Sequence, residues 1–379
     1  MKSEEKSFKQ QRMMRTENRF IVLKCIADGL RTRRQIQAET GLSWGTVSNC
    51  VAELESEGVI VLKQRPCNDR FLILPEQNHG ANSFCVFSEK SNILGGIHIT
   101  NTRLDLRFFT PDHKVLYSDS EEISPPQSIV ELKEMLEKLL KKSRFRELAA
   151  YLCISLTGAF DRDKLLWLKT THLPAVNCWE LSSLKTLIPG EVVFEHDIVS
   201  KARSVSMNQF CGDDFAFFHI GDGIGLTMCR DGIFQEGVRG FAGEIGHLPY
   251  PGSGECLENI ASMRGLQKIS QQNGCSIASP ECWNRIKPYW AWCGVAAVNM
   301  FDPSVLLIGG EAPDLFQNQL DELVSMIRQN AWQNGPEKII FYRMSECDTA
   351  SGAAFSLRTR LLKKIASGSS GINKKAAGY

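Results

Sequence analysis

The sequence lacks the marks of an exported or membrane-embedded chain. None of its thirteen cysteines stands in a C-x-x-C pair, and the polar, basic N-terminal residues contain no apolar core of a signal segment. No run approaches the roughly 18 apolar residues that a membrane helix needs. The formal net charge is only +1, so the chain as a whole is neither a basic nucleic-acid coat nor an acidic tail. The expectation is a cytoplasmic protein without membrane contact, its reduced thiols serving as small hydrophobes. Apolar residues at 43% and charged residues at 23% suit a globular protein, and 379 residues are too many for one ordinary core.

What charge there is gathers at one end. Residues 1–34 hold ten Lys/Arg against four Asp/Glu, a local excess of six. Such an excess is an electrostatic handle for phosphates. The same region has a helical rhythm. Residues 1–15 read as a frayed arm; from Thr16, the residues Phe20, Ile21, Leu23, Ile26 and Ala27 form an apolar face that ends near Gly29. A short helix Thr32–Glu39 follows, with Thr32 placed to cap it. A turn at Thr40-Gly41-Leu42 leads to a third helix capped by Ser43 and running to about Glu57. Helix, short helix, glycine turn and helix make a helix-turn-helix, with Ile36, Leu42 and Val47 as its apolar pins. Val59–Leu62 and Arg70–Leu74, joined through Arg65-Pro66-Cys67-Asn68-Asp69, read as a hairpin wing.

On this reading Ser43–Cys50 enters a major groove. Ser43, Trp44, Gly45, Thr46, Ser48 and Asn49 face base edges, and Asn49 can make a bidentate contact to adenine. Arg31, Arg33, Arg34, Arg65 and Arg70 suit phosphates or the minor groove, where they position rather than specify. A three-helix bundle without a DNA role is the alternative.

The most unusual stretch is Gly221–Glu258, GDGIGLTMCRDGIFQEGVRGFAGEIGHLPYPGSGECLE. Eight glycines precede its one histidine. Each would cost a helix about 1 kcal/mol, so short strands and tight turns with close backbone approach are expected. Among the glycines stand Glu244, His247, Cys256 and Glu258, an arrangement that suggests a site. The alternative is a tightly folding glycine hairpin with no ligand.

The block GFAGEIGH followed by CLENIAS resembles the signature of the ROK family (repressors, open reading frames and sugar kinases). The resemblance runs from residue 16 to about 365. It implies an α/β fold: an N-terminal winged helix-turn-helix, then an actin-like ATPase (ribonuclease H-like) duplicated domain. The implied boundaries are 1–80 for the DNA-binding part and 81–366 for the sensor. The sensor's halves are about 81–197 with 350–366, and 198–349; residues 367–379 form a flexible tail. The resemblance further implies that Glu244, His247 and Glu258 hold sugar hydroxyls. Asp197, closing the strand Val192–Asp197, matches the family's general base, though a carboxylate there could also cap a helix.

The departures from the family are informative. The first phosphate loop, Asp-x-Gly-Gly-Thr in the kinases, reads His98-Ile99-Thr100-Asn101-Thr102 here. In the second, Gly221-Asp222-Gly223-Ile224-Gly225 is kept, but Leu226 and Thr227 replace glycines. Without the carboxylate for magnesium and the glycines for phosphate, no nucleotide cofactor and no kinase activity are expected. Two of the family's zinc cysteines are missing between His247 and Cys256, so no metal is expected either. His172 and His196 stand where the family carries sugar-holding asparagines.

The remaining segments are expected as helices over Leu257–Asn273, Pro280–Phe301, Leu315–Trp332 and Ala350–Ala366, with buried strand Pro303–Gly310 and strand Lys338–Arg343. The expected function is a DNA-binding regulator, repressor in type, of carbohydrate metabolism. It would bind an operator as a homodimer or tetramer and sense a sugar or sugar phosphate. A regulator answering to a protein partner without a sugar, and an active sugar kinase, are the competing readings.

Overall fold

The computed structural model describes residues 2–29, 32–63, 83–208, 212 and 214–368. Arg31, Arg65, Arg70, the second wing strand Arg70–Leu74, the polar hinge 76–82 and the tail from 369 lie outside the described residues. The chain divides into two compact units. One comprises Met1–Ile154, Ser182–Val193 and Ala354–Tyr379; the other comprises Ser155–Leu181 and Phe194–Ala353.

The first unit opens with helix α1 (Lys2–Ala27), which is continuous through the stretch expected to fray. Helix α2 (Arg33–Thr40) starts from a reciprocal cap. The Thr32 hydroxyl accepts from the Gln35 N–H at 3.2 Å, and the Gln35 carbonyl oxygen accepts from the Thr32 N–H at 3.0 Å. Gly41 ends it with φ +66, a left-handed conformation that glycine adopts without strain. Ser43 caps α3 (Trp44–Ser56) by accepting from the Thr46 N–H at 3.1 Å, as its position predicts.

Strand β1 (Ile60–Lys63) pairs antiparallel with β2 (Phe84–Phe87), Ile60 opposite Phe87. Then come β3 (Ile93–Ile99), β4 (Arg103–Phe109), β5 (Val115–Glu122), α4 (Ile129–Lys141), β6 (Ala149–Leu156), β7 (Ala159–Asp161), β8 (Leu166–Lys169), β9 (Trp179–Glu180) and β10 (Glu191–His196). A five-stranded sheet has the order β10-β6-β3-β4-β5, and β7-β8-β9 make a small sheet of their own.

The second unit continues with α5 (Asp197–Asn208), β11 (Phe215–Ile220), β12 (Ile224–Arg230), β13 (Ile233–Phe234), α6 (Leu257–Ala261), α7 (Met263–Asn273), α8 (Pro280–Phe301), β14 (Val305–Gly309), α9 (Leu320–Asn330), β15 (Lys338–Tyr342) and α10 (Thr349–Ala354). Its sheet order is β13-β12-β11-β14-β15. β11 is antiparallel to β12 and parallel to β14, the mixed pattern of an α/β fold. Strands β11 and β14 are buried along their whole length and read as near-continuous apolar runs.

Three helical expectations are corrected. Leu257–Asn273 is two helices, because Ser262 is extended (ψ 179) and starts α7 as its cap. Leu315–Trp332 is a 3₁₀ turn, Pro313–Gln319, kinked at Phe316, followed by α9. Ala350–Ala366 breaks at a 3₁₀ turn, Phe355–Leu357, before α11 (Arg358–Ala366).

In the first unit, α11 completes the core of the helix-turn-helix. Leu361, Leu362 and Ile365 pack in one apolar cluster with Val22, Leu23, Ile26, Val51 and Leu54. A buried guanidinium ties these helices together. Arg19 (side chain 4% exposed) donates to Glu53 at 2.9 Å, to Glu57 at 2.9 and 2.6 Å, and to the Ile365 carbonyl at 3.4 Å. Burial pushes the Glu53 carboxyl up, but hydrogen bonds from Arg19 and Arg15 carry it below its usual range.

Removing Arg19 leaves two carboxylates facing each other against apolar surface. Arg19→Ala is therefore expected to destabilise the first unit by about 3 kcal/mol, the lower end for breaking a buried pair, because both partners are part-exposed. Urea unfolding followed by circular dichroism measures it. Since the Glu53 carboxyl is depressed, its contribution is present above its unfolded value and lost as pH falls through the folded one. Wild type should lose this advantage over Arg19→Ala below about pH 4.

Candidate functional site

Two places carry chemistry. The first is α3, whose buried residues Val47, Cys50, Val51 and Leu54 line one side. The opposite side presents Trp44 (41% exposed), Gly45 and Asn49, with Thr46 and Ser48 half-buried beside them. The Ser43 hydroxyl is engaged in capping and lies 2.9 Å from the Thr46 hydroxyl. Ser43 thus holds the start of the helix. Arg34 is exposed in the first turn of α2 and Arg33 half-buried beside it. Polar groups on an otherwise apolar-backed helix, flanked by arginines, fit a groove lined by phosphates.

The second place is the glycine-rich stretch, all of it in the second unit. Gly243, with φ +90, lies against β12, where the Leu226 N–H donates to its carbonyl at 3.1 Å. A methyl on Gly243 would drive into the Leu226 carbonyl oxygen. Pinned there, the chain turns through Glu244 into a single 3₁₀ turn, Ile245–His247. The His247 Nε2 sits 3.5 Å from Glu244 Oε2, both side chains being well exposed. Glu258, in the first turn of α6, tucks its carboxylate against two glycines. A Cβ on Gly223 or Gly246 would lie 3.2 or 3.3 Å from Glu258 Oε2.

Partial desolvation pushes the Glu244 carboxyl up. His247 pulls it back, while Asp197 and Glu258 raise it further. Of the residues predicted from sequence, His247, Asp197 and Glu258 thus each act on the Glu244 carboxyl.

Asp197 is the first residue of α5. Its Oδ2 accepts from Lys201 Nζ at 2.6 Å, one helical turn on. Burial disfavours the lysine's charge, but Asp197 outweighs this and holds Lys201 above its ordinary value. The i,i+4 spacing was the sequence signal for this pair, and it was missed.

His196, the preceding residue, is buried against Phe160, ring centroids 4.3 Å apart, and burial lowers its pKa. Among the described residues its Nε2 meets no hydrogen-bond partner. His172 Nδ1 lies 3.8 Å from Asp222 Oδ2.

Both altered phosphate loops are closed by the protein's own atoms. The Thr100 hydroxyl accepts from the N–H groups of Arg103 (2.9 Å) and Thr102 (3.4 Å), using donors that a phosphate loop would offer to a ligand. His98 lies inside β3, 3.9 Å from Asp105. In the second loop Leu226 and Thr227 are buried strand residues of β12, so the open turn is Gly221–Gly223 alone. Against Gly221 packs the Glu311 carboxylate, whose Oε2 is 3.5 Å from His219 Nε2. The His219 Nδ1 meets the Tyr342 hydroxyl at 2.7 Å, and burial holds the imidazole well below its ordinary pKa, hence neutral. No sequence signal joined residues 219, 311 and 342.

Where the family's zinc loop would run, Pro249 and Cys256 form an antiparallel bridge. The Tyr250 N–H donates to Glu255 at 2.9 Å and the Leu257 N–H to Leu248 at 3.0 Å. Among the described residues, no three His, Cys, Asp or Glu side chains are arranged to hold a metal ion.

A helix-turn-helix followed by two sheet-centred units with a glycine-cradled carboxylate cluster defines a class, and the comparisons agree. The ROK family profile matches residues 94–359, and a winged helix-turn-helix DNA-binding profile matches residues 16–61. The chain belongs to the ROK family. It is similar to the xylose repressor of Caldicellulosiruptor bescii, 22% identical over 366 residues, covering 84% of this chain and 89% of the relative. Among solved structures, a ROK family transcriptional regulator homologous to the E. coli MLC protein aligns with a TM-score of 0.71 and 16% identity. That alignment covers 93% of this chain and 99% of the other. A ROK glucokinase from Streptomyces griseus, solved with glucose and AMPPNP, aligns at 0.56 with 18% identity over 69% of this chain and 98% of its own.

Because burial, and after it Asp197 and Glu258, oppose its ionisation, Glu244 weakens the fold once deprotonated. The sign follows from a raised carboxyl: the penalty is absent below its unfolded pKa and complete above its folded one. Glu244→Gln should thus melt no lower than wild type at about pH 7 and lose any advantage near pH 4. Scanning calorimetry at the two values checks it.

Proposed function

We propose that the protein is a repressor-type transcriptional regulator of carbohydrate metabolism. It binds operator DNA as a homodimer through α3 and senses a sugar at Asp197, Glu244, His247 and Glu258. The observation that carries the reading is the exposed face of α3 beside Arg33 and Arg34, in a winged helix-turn-helix ahead of the ROK domain. The xylose repressor, which spans most of the same length, supports the same class of function. Carboxylates that accept hydrogen bonds in pairs, with an imidazole that can donate or accept, suit a polyhydroxylated ligand. Such a site rejects analogues lacking a hydroxyl, because its own groups are then left unpaired.

A kinase role is disfavoured by the same geometry. Thr100 takes up the first loop's amides, and Glu311 sets a negative charge where a triphosphate would need donors. A regulator answering only to a protein partner is the second reading. The ion pair between Lys201 and Asp197 favours it, since a ligand hydroxyl must compete with an ammonium 2.6 Å away.

Operator binding is tested with duplexes selected from a random pool. The Arg33→Ala, Arg34→Ala double variant should weaken all sequences alike and reduce the salt slope by about one unit for each phosphate that is no longer neutralised. Asn49→Ala should relax preference at one base pair, a discrimination of about 1–3 kcal/mol. Unchanged affinity and preference in both variants would overturn the assignment of α2 and α3 to DNA.

For the sensor, a panel of sugars and sugar phosphates is screened by thermal shift. A ligand at a hundredfold excess over Kd should add about 2.7 kcal/mol of stability. Glu258→Gln should abolish that shift while leaving operator binding without ligand intact. If no sugar shifts wild type, the partner-driven reading takes its place, and ATP-dependent phosphorylation of a hexose would instead revive the kinase.

A further inference from the structure

The second unit contains two free thiols that neither DNA binding nor the sugar cluster uses. Cys275 follows α7, directly after Gly274, whose φ of +60 ends the helix. Cys282 is the third residue of α8. Their Sγ atoms lie 3.5 Å apart.

Both backbones are anchored. The Cys275 N–H donates to the Ser270 carbonyl at 3.1 Å, and its own carbonyl accepts from the Ser270 hydroxyl at 2.6 Å. The Cys282 N–H donates to the Ser279 hydroxyl at 3.3 Å, the N-cap bond of α8. The two sulfurs therefore face each other from fixed positions, and about 1.5 Å of approach brings them to the bonding distance of a disulfide.

Their environments differ in the sense that stepwise oxidation requires. Cys275 is part-exposed, so a small oxidant can reach it. Cys282 is fully buried, beside Trp283 and Ile286 in the core. Its thiol is pushed up by burial and stays protonated until its partner reacts. Cys293, farther along the same helix, has its thiol pushed up to about 12 by burial and is correspondingly unreactive.

We propose that Cys275 and Cys282 form a reversible redox modification site, in which a hydroperoxide converts the dithiol to a disulfide. The Cys275 thiolate attacks the O–O bond, gaining oxygen as a sulfenic acid while the other oxygen leaves as hydroxide or alkoxide. The Cys282 sulfur then attacks the Cys275 sulfur and expels hydroxide, which takes up the Cys282 proton as water. With hydrogen peroxide, two thiols lose two hydrogens and two electrons in all, and the peroxide is reduced to two waters. Disulfides of this kind in reducing compartments are transient and sensory rather than structural.

The crosslink would join the end of α7 to the start of α8. Helix α8 also holds α6, the helix of Glu258, through the Trp290 N–H donating to the Ala261 carbonyl at 2.8 Å. The proposal does not depend on the sugar reading, because its readouts involve neither ligand nor DNA.

The test treats the reduced full-length protein with hydrogen peroxide, alkylates remaining thiols under denaturing conditions and maps the peptides. The expected product is one intramolecular 275–282 disulfide, restored to two alkylatable thiols by dithiothreitol. Cys178→Ser, which removes an exposed thiol, should crosslink as wild type does. Cys275→Ser should form no crosslink while keeping the wild-type circular dichroism spectrum. Should buried Cys282→Ser fold poorly, Cys282→Ala takes its place, and Cys275 should then stop at the sulfenic acid, trapped by dimedone. The oxidised wild type should melt above the reduced form. Oxidation of Cys275 to sulfinic acid without a crosslink, or both thiols remaining alkylatable, would overturn the proposal.

Discussion

The candidate sensor site depends on backbone being able to lie directly on backbone. Gly243 sits so close to β12 that a side chain there would collide with the Leu226 carbonyl, and the hydrogen bond between the same two residues holds the approach. That packing fixes where the chain turns, and so where Glu244 and His247 project. Gly223 and Gly246 then leave room for the Glu258 carboxylate. Three carboxylates and an imidazole are thereby gathered where side chains of ordinary size would have kept them apart. Burial raises the Glu244 carboxyl most, His247 lowers it, and Asp197 and Glu258 raise it further.

The DNA-facing head rests on a different kind of constraint. Arg19 neutralises two glutamates at the far end of α3 while its neighbours seal the apolar core. Because α11 contributes Leu361, Leu362 and Ile365 to that core, the helix-turn-helix shares its packing with the last helix of the ROK domain. The Arg358 guanidinium adds a second tie, bonding Asp28 at the end of α1 at 2.7 Å and the Pro111 carbonyl between β4 and β5 at 2.8 Å. A change at α11 therefore has a packed route to α1.

At the two altered phosphate loops the protein's own groups occupy the turns. Replacing loop glycines did more than add bulk. Thr100 supplies a hydroxyl that satisfies the turn's own N–H groups, and Leu226 and Thr227 extend β12 into what was loop. Glu311 supplies the anion beside Gly221 that a nucleotide would otherwise bring. At the first loop the Thr100 hydroxyl thus pairs N–H groups that would otherwise be open.

Much of this was legible in the residues. The helix caps at Thr32 and Ser43, the turn at Gly41 and the apolar pins Ile36 and Val47 are local signals, decided within a few residues. So are the glycine density of 221–258 and the acids within it. Breaks within expected helices were not legible. Ser262 and Phe316 sit in sequences with good helical periodicity, and the turn at Ser262 is set by the Met263 N–H reaching the Gly221 carbonyl at 2.8 Å. The pairing of Ile60–Lys63 with Phe84–Phe87 joins strands more than twenty residues apart.

The sequence by itself determined the family and the order of winged helix-turn-helix and ROK domain, and it singled out the acids and the histidine of the glycine-rich stretch. These follow from short-range patterns of spacing and residue type. Tertiary structure alone decided which partners those residues meet: Lys201 on Asp197, Glu311 beside Gly221, Arg19 between Glu53 and Glu57, and Cys275 against Cys282. Charge pairing and burial depend on distances between groups that the chain brings together only on folding. Even where the spacing was suggestive, as for Asp197 and Lys201, only the packing showed that the ammonium would be buried and the carboxylate engaged.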